Sequence, residues 1–438
     1  CLSRRRGMLR WVGDHTTLGQ LLRNRAVALL LAIGLLDGVS AGATLTALGW
    51  QAYARAHDPL VLGLLGLAEF VPAALLALPA GQIADRRDRR IVALIGFAAA
   101  AAAIGALAID AAAGDRAVWP LYLMAAMIGA GFTFANPALD PLLAACVPAS
   151  VLARTIALAT SIGQAAAITG PALGGLLQAF GAPVPYLVGA AAIGLAGVLA
   201  WLLPDTLGRS HLDVVGAEAT LSDALGGVRF ILRTPPLLGA ISLDLMAVLF
   251  GGVTALLPVF SSDILHVGAA GNGLLRAAPG MGAVLVGAVL AVRPLRRRAG
   301  ATLFVVVAAY GAATVVFGLS RSFALSMVAL AALAGADMIS MLLRATLGPL
   351  LTPPALRGRV SAVERVFIGA SNELGAFESG VAAALIGAVP AVVLGGLVSV
   401  GVAVVWAWRF PSLRKLDEFA DLQAAELPPS AAGRAAGD

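Results

Sequence analysis

Eight ionisable side chains interrupt long apolar runs in this chain: Asp37, Glu69, Asp140, Asp244, Asp337, Arg344, Glu373 and Glu378. In hydrocarbon each would cost roughly 2.5–3.5 kcal/mol at the centre of an isolated helix, so each calls for a compensating role. Carboxylates in such places carry protons, meet cationic groups or hydrogen-bond to neighbouring helices. Asp37 and Asp244 are candidates for the first two roles, with the structural hydrogen bond as the alternative. Asp337 and Arg344 are seven apart, two turns along one helical face, which points to charge pairing through intermediates or with adjacent helices, with substrate contact as the alternative. Glu373 and Glu378, five apart, project to different faces, so at least one serves packing. Asn372 and Gln164 are better placed to bind neighbouring helices than substrate.

No catalytic set accompanies these residues. There is no His-Glu-x-x-His, no Walker loop and no Cys-x-x-Cys, and the four histidines, at 15, 57, 211 and 266, lack ligand spacing. Two cysteines, Cys1 and Cys146, form neither a disulfide framework nor a metal site. An enzyme, a resident metal and a cofactor are therefore not expected. A chain opening on Cys1 reads as a truncated or misassigned start, with Met8 a plausible native one.

The elements that must position the charges follow from composition. The 438 residues are 60% hydrophobic with a mean hydropathy of +0.92. That excess comes in blocks of about 20 residues, the length that crosses roughly 30 Å of hydrocarbon. Continuous runs of this kind are helices, because only a helix satisfies its own backbone in lipid. Twelve spans are predicted: 26–54, 60–82, 90–111, 117–146, 155–181, 183–204, then 237–262, 271–292, 301–320, 322–350, 359–387 and 389–410. Residues 1–25 precede the first six-helix bundle (26–204). A linker at 205–236 leads to the second bundle (237–410), and a tail, 411–438, is expected to be disordered. Within the linker, Leu221 to Arg233 has apolar residues at helical spacing and a Thr-Pro-Pro stop, which fits an amphipathic surface helix or a plain connection.

Net charge is +6, and the basic residues sit in short loops, which argues for membrane topology rather than nucleic acid. With both termini on the cytoplasmic side, 25 of the 30 arginines and lysines fall inside, four fall outside (Arg55, Arg116, Arg276 and Arg321), and Arg344 lies within a span. The positive-inside bias therefore places both ends in the cytoplasm.

Internal repetition is visible as well. Leu36-Asp37 and Thr46-Ala47-Leu48 match Leu243-Asp244 and Thr254-Ala255-Leu256, and Gly63-Leu64-Leu65 matches Gly273-Leu274-Leu275. Each pair is about 210 residues apart, which predicts two six-helix halves in parallel repeat around a midplane cavity.

The densest charge lies between spans two and three. Gly81-x-x-x-Asp85-Arg86-x-x-Arg89-Arg90 resembles the loop signature of the major facilitator superfamily. Gly170-Pro171-x-x-Gly174-Gly175 in span five is similar to that family's antiporter motif. Leu356 to Gly380 and Val389 to Gly396 resemble its enterobactin-exporter-like branch. The resemblance covers nearly the whole chain and implies an all-α membrane protein of two parallel six-helix pseudo-repeats. It also implies that Gly81 allows close helix approach and that Asp85 accepts from the start of span eleven near Gly358. Arg86, Arg89 and Arg90 are then expected to meet lipid phosphates or acidic partners. One departure stands out: span four has no arginine and reads Asn136-Pro137-Ala138-Leu139-Asp140-Pro141, which leaves Asp140 without an obvious partner.

The function implied is a secondary active transporter, a proton-coupled exporter of a small amphipathic molecule such as a siderophore or drug, acting as a monomer in a bacterial cytoplasmic membrane. An uptake symporter or facilitator of the same fold is the near alternative. A non-transporting receptor or scaffold is the distant one.

Overall fold

The structure is a computed structural model, and it describes residues 21, 23–114, 116–205, 221–293, 298–353 and 356–414. Six long helices come first: α1 (Arg25–Ala56), α2 (Leu60–Arg86), α3 (Arg89–Ala113), α4 (Trp119–Ala145), α5 (Ala149–Leu177) and α6 (Val184–Trp201). The linker contributes α7 (Leu221–Arg233). Six further elements follow: α8 (Pro235–Phe250), α9 (Gly268–Val292), α10 (Ala299–Leu319), α11 (Phe323–Leu351), α12 (Arg357–Ile386) and α13 (Ala388–Arg409). Eleven spans among the described residues are long and apolar enough to cross a membrane on hydropathy alone. The twelfth, α12, carries Arg357, Arg359, Glu364, Glu373 and Glu378 over 30 residues, which lowers its hydropathy without shortening it.

These helices form two compact units, residues 1–55 with 68–216, and residues 56–67 with 217–438. The boundary falls inside α2, whose first two turns belong to the second unit. There, Gly63 lies against Phe377 and Gly380 of α12, with Gly63 Cα 2.9 Å from where a Cβ on Gly380 would stand.

Within each unit the packing repeats. In the first, α3 packs against α4 and α6; in the second, α10 packs against α11 and α13. Ser40 of α1 donates to the Gly189 carbonyl of α6 at 2.9 Å, and Ser399 of α13 donates to the Ala247 carbonyl of α8 at 3.1 Å. His57 and His266, 209 residues apart, both adopt left-handed backbone, the first just past α1 and the second past the turns that follow α8 (φ 52 and 53). The outer faces carry large exposed apolar side chains such as Leu75, Leu78, Ile109, Val292 and Leu385, as lipid contact requires.

One element differs from expectation. Span seven was read as one helix, but α8 stops at Phe250. After Gly251-Gly252 the chain continues as a 3-10 turn (Val253–Leu256), a short helical turn and a π-turn (Phe260–Ile264). The linker segment is helical, and the apolar side of α7 is taken by its own unit: Ile231 clusters with Leu237, Val360 and Val363. The tail from 415 onward and the arginines at 296 and 297 lie outside the described residues.

Candidate functional site

In the first unit, α1, α4 and α5 enclose a cavity of about 190 Å³. Asp37 of α1 and Asp140 of α4 both line it, beside Asn136 and Gly163, with Leu31 and Phe97 among its apolar walls. Asp140 thus faces the carboxylate of another helix, and the two are close enough to repel when both are charged. Such a pair invites a proton, a cation or a hydrogen-bond donor between them.

Next along α5 from this cavity comes the glycine-rich segment, which packs on α1. Beyond Asp37, α1 presents Gly38, Gly42 and Ala43, and α5 presents Ala166, Gly170, Pro171 and Gly174. A Cβ on Gly170 would stand 3.0 Å from the Gly38 carbonyl oxygen, and one on Gly174 would stand 2.5 Å from that of Ala43. A Cβ on Gly42 would stand 2.6 Å from Pro171 Cδ. Gly170 and Gly174 are four apart, the small-residue spacing that lets two membrane helices cross in backbone contact. Gly175 is buried next to them. The seam runs on directly from the acidic cavity.

The second unit repeats the placement with different chemistry. Asp244 of α8 is buried and forms an ion pair with Arg344 of α11 at 2.7 Å. Two small cavities flank it. One is shared with Arg344, Glu364 and Ser371; the other with Asp337, Tyr310 and Ser340. Arg344 thus reaches an adjacent helix. Three carboxylates, Asp244, Asp337 and Glu364, surround this one guanidinium. Glu364 and Tyr310 had not been singled out in the sequence, because their partners come from other helices of the bundle. Tyr310 donates to the Gly251 carbonyl at 2.9 Å, so the same cluster touches the break after α8.

Glu373 and Glu378 lie in neither cavity. Glu373 Oε2 stands 3.2 Å from the Cβ position of Gly66 and within electrostatic reach of Arg276. Glu378 is half-buried beside Ser379.

The loop signature makes ion pairs and a helix cap within the first unit. A Cβ on Gly81 would meet nothing within 4 Å among the described residues. Asp85 accepts from Arg89 Nη2 at 2.8 Å, and its side chain is 71% exposed. Arg89 and Arg90 find acidic partners, one of the two kinds expected for them, and both are buried. Arg90 bonds Asp88 at 2.9 Å, the Leu203 carbonyl at 2.8 Å and Asp205, and so ties the start of α3 to the end of α6. Asp88 also caps α3 by accepting from the Arg90 N–H. Nε and Nη1 of Arg89 have no hydrogen-bond partner among the described residues. Arg86 remains exposed. Beyond the spans, burial pushes the Cys146 thiol up to about 11, which keeps it protonated and unreactive near neutrality.

Comparison with known proteins agrees with this architecture. The Major Facilitator Superfamily model matches residues 30–376. Enterobactin exporter EntS of Citrobacter koseri is 31% identical over 290 residues, covering 65% of this chain and 67% of EntS. The MFS-type transporter YfiS of Bacillus subtilis is 27% identical over 199 residues, and the match spans 45% of this chain and 46% of YfiS. Among solved structures, a variant of the nucleoside transporter NupG superposes with a TM-score of 0.70 at 13% identity, over 89% of this chain and 99% of that one. A POT family transporter bound to a thioalcohol-conjugated peptide gives a TM-score of 0.69, also at 13% identity, over 89% and 97%. At such identities the structural likeness speaks for the fold alone. With two repeated six-helix units, the loop signature between α2 and α3 and a family match over most of its length, the chain belongs to the Major Facilitator Superfamily of membrane transporters.

Proposed function

We infer that this transporter exports a small amphipathic molecule, of siderophore or drug-like chemistry, in exchange for protons. The observation that carries the reading is the Asp37–Asp140 pair in its otherwise largely apolar cavity. Two carboxylates held together away from bulk water repel unless something is bound between them. A proton relieves the repulsion, and so does a substrate group that is cationic or donates hydrogen bonds. Binding of one excludes the other, which is the competition that exchange transport needs. Alternating exposure of that pair to the two sides of the membrane then couples the two flows.

The outward direction is supported by the likeness to EntS, named as an enterobactin exporter. The excess of basic residues on one set of loops supports cytoplasmic termini in a bacterial inner membrane. The α1–α5 seam serves this cycle as a close-packed wall between the acidic pair and the far side. In the second unit, the Arg344–Asp244 pair and its neighbouring acids would hold charge without taking part in the exchange.

Everted membrane vesicles test the proposal. The lumen is acidified, and a panel of fluorescent amphipathic dyes and catechol siderophores is added while the pH gradient is followed. An active compound should dissipate the gradient with the parent protein, and a protonophore should abolish its uptake into the vesicles. Asp37→Asn should reach normal membrane levels and lose this substrate-linked proton release. Proton release by Asp37→Asn equal to that of the parent would remove Asp37 from the coupling.

A further inference from the structure

A second hollow is larger and more apolar than the acidic cavity. It is a groove of about 370 Å³ on the first unit, between the end of α2 and the flanks of α3 and α4. Ile83, Ile95, Ala99, Met127 and Phe134 line it. Its lining residues on α3 follow helical spacing (Val92, Ile95, Gly96, Ala99), as do those on α4 (Met127, Ala130, Gly131, Phe134), so each helix contributes one continuous stripe. Where the stripes meet, Gly96 and Gly131 are in backbone contact. A Cβ on Gly96 would stand 2.6 Å from the Gly131 carbonyl, and one on Gly131 would stand 2.7 Å from that of Gly96. Two helices that touch along glycines and diverge above them leave a trough, and Ile83 stands at its α2 edge. Ile83, Ile95 and Met127 are exposed, so the trough faces hydrocarbon and a hydrocarbon chain can enter from the bilayer.

Its polar end is defined as well. Arg86 and Arg87 follow Ile83 by three and four residues, the spacing that keeps side chains on one face. The Arg87 N–H still bonds the Ile83 carbonyl at 3.0 Å, so Arg87 lies one turn beyond the groove wall. Both arginines are exposed. The turn from 85 to 90 has four arginines against two aspartates, a net charge of +2. An apolar trough ending one helical turn from an exposed pair of arginines matches one class of ligand in its chemistry: a long acyl chain attached to an anionic phosphate.

We propose that this groove is a binding site for an anionic phospholipid, with one acyl chain between α3 and α4 and the phosphate held by Arg86 and Arg87. Guanidinium groups bind phosphate oxygens through paired, charge-assisted hydrogen bonds. The glycine contact gives the chain a place that a convex lipid-facing surface does not offer. Occupancy would fasten the end of α2 to α3 and α4, next to the turn where Arg89 and Arg90 are buried.

The test uses the full chain in nanodiscs of equal phosphatidylglycerol and phosphatidylcholine, released into a native mass spectrometer. The parent should keep one phosphatidylglycerol under activation that strips phosphatidylcholine. Arg87→Gln should lower the preference for phosphatidylglycerol about fivefold, the factor expected for one arginine at an anionic surface. Ala99→Phe, at an exposed position, fills the trough and should abolish retention; Met127→Trp, also exposed, does the same from the α4 side. Elution with the parent on size exclusion shows that each variant is folded. Equal retention of both lipids by the parent would reduce the groove to ordinary boundary hydrocarbon. Undiminished phosphatidylglycerol on folded Ala99→Phe and Met127→Trp would place the charge effect outside the groove. Either result overturns the proposal.

Discussion

Removing the Asp110 carboxylate is the sharpest test of how the first unit is held together. Arg55, in the last turn of α1, is 9% exposed and pairs with Asp110 of α3, 13% exposed, at 2.7 Å, with a second contact at 3.4 Å. Gln51 donates to the same carboxylate at 3.1 Å and accepts from Tyr186 of α6, while Arg55 also donates to the Ala117 carbonyl at 2.7 Å. Asp110→Ala therefore strands a buried guanidinium and one amide, and leaves Arg55 a single carbonyl. Breaking a buried pair from one side costs about 3–5 kcal/mol. The surviving Ala117 contact and a position near the helix end favour the lower value, ~3 kcal/mol. Replacing both partners by apolar residues, Arg55→Met with Asp110→Leu, removes the charge along with its partner and should return stability to within ~1 kcal/mol of the parent. The assay is equilibrium unfolding in mixed micelles by titration with dodecyl sulfate. Asp37 lies eighteen residues before Arg55, about 27 Å along a straight helix, so the folded fraction of Asp110→Ala should bind substrate as the parent does. A cost below ~1 kcal/mol for the single variant, or a double variant no more stable than the single one, would refute the network as the fastening of these helices.

Three further outcomes follow from the packing. Gly174→Leu should reduce folded yield on fluorescence-detected size exclusion, since its side chain would enter the α1 backbone at Ala43. Gly81→Ala, with open space around it, should be neutral or more stable by up to ~1 kcal/mol in the same unfolding assay, because Ala favours helix over Gly. Tyr310→Phe removes the hydrogen bond to Gly251 and should cost ~1 kcal/mol. It should also speed amide exchange around residues 251–256 by roughly fivefold while leaving α1 unchanged.

Much of this architecture can be read from hydropathy. The first span, expected at 26–54, is Arg25–Ala56, and the ninth, expected at 301–320, is Ala299–Leu319. Long apolar helices in lipid have few other options, and loop residues mark their ends. The break after α8 escaped because residues 237–262 are evenly apolar, and helix and non-helix share that composition when neighbours cover the backbone. Gly251-Gly252 shortly before Pro258 was the available signal. Side-chain partners were harder still. Arg90 meets Asp205 across 115 residues and Arg344 meets Asp244 across 100, separations that no local pattern encodes. The acidic pair was half legible: both residues stood out as charges in apolar runs, but only packing joins α1 to α4.

The first helices of the two repeats differ in one respect. Through Ala43 and Thr44, α1 keeps an unbroken ladder of backbone bonds against Gly174. At the equivalent place the second repeat has Gly251-Gly252, set against α12 with a Cβ on Gly252 only 2.7 Å from the Gly375 carbonyl. One repeat thus carries a stiff rod where its counterpart carries a jointed one. Two matching halves that yield at the same load have no defined order of movement. The interrupted backbone after α8 makes that stretch the place where local opening is expected first, read as faster amide exchange at residues 251–256 than at residues 43–48.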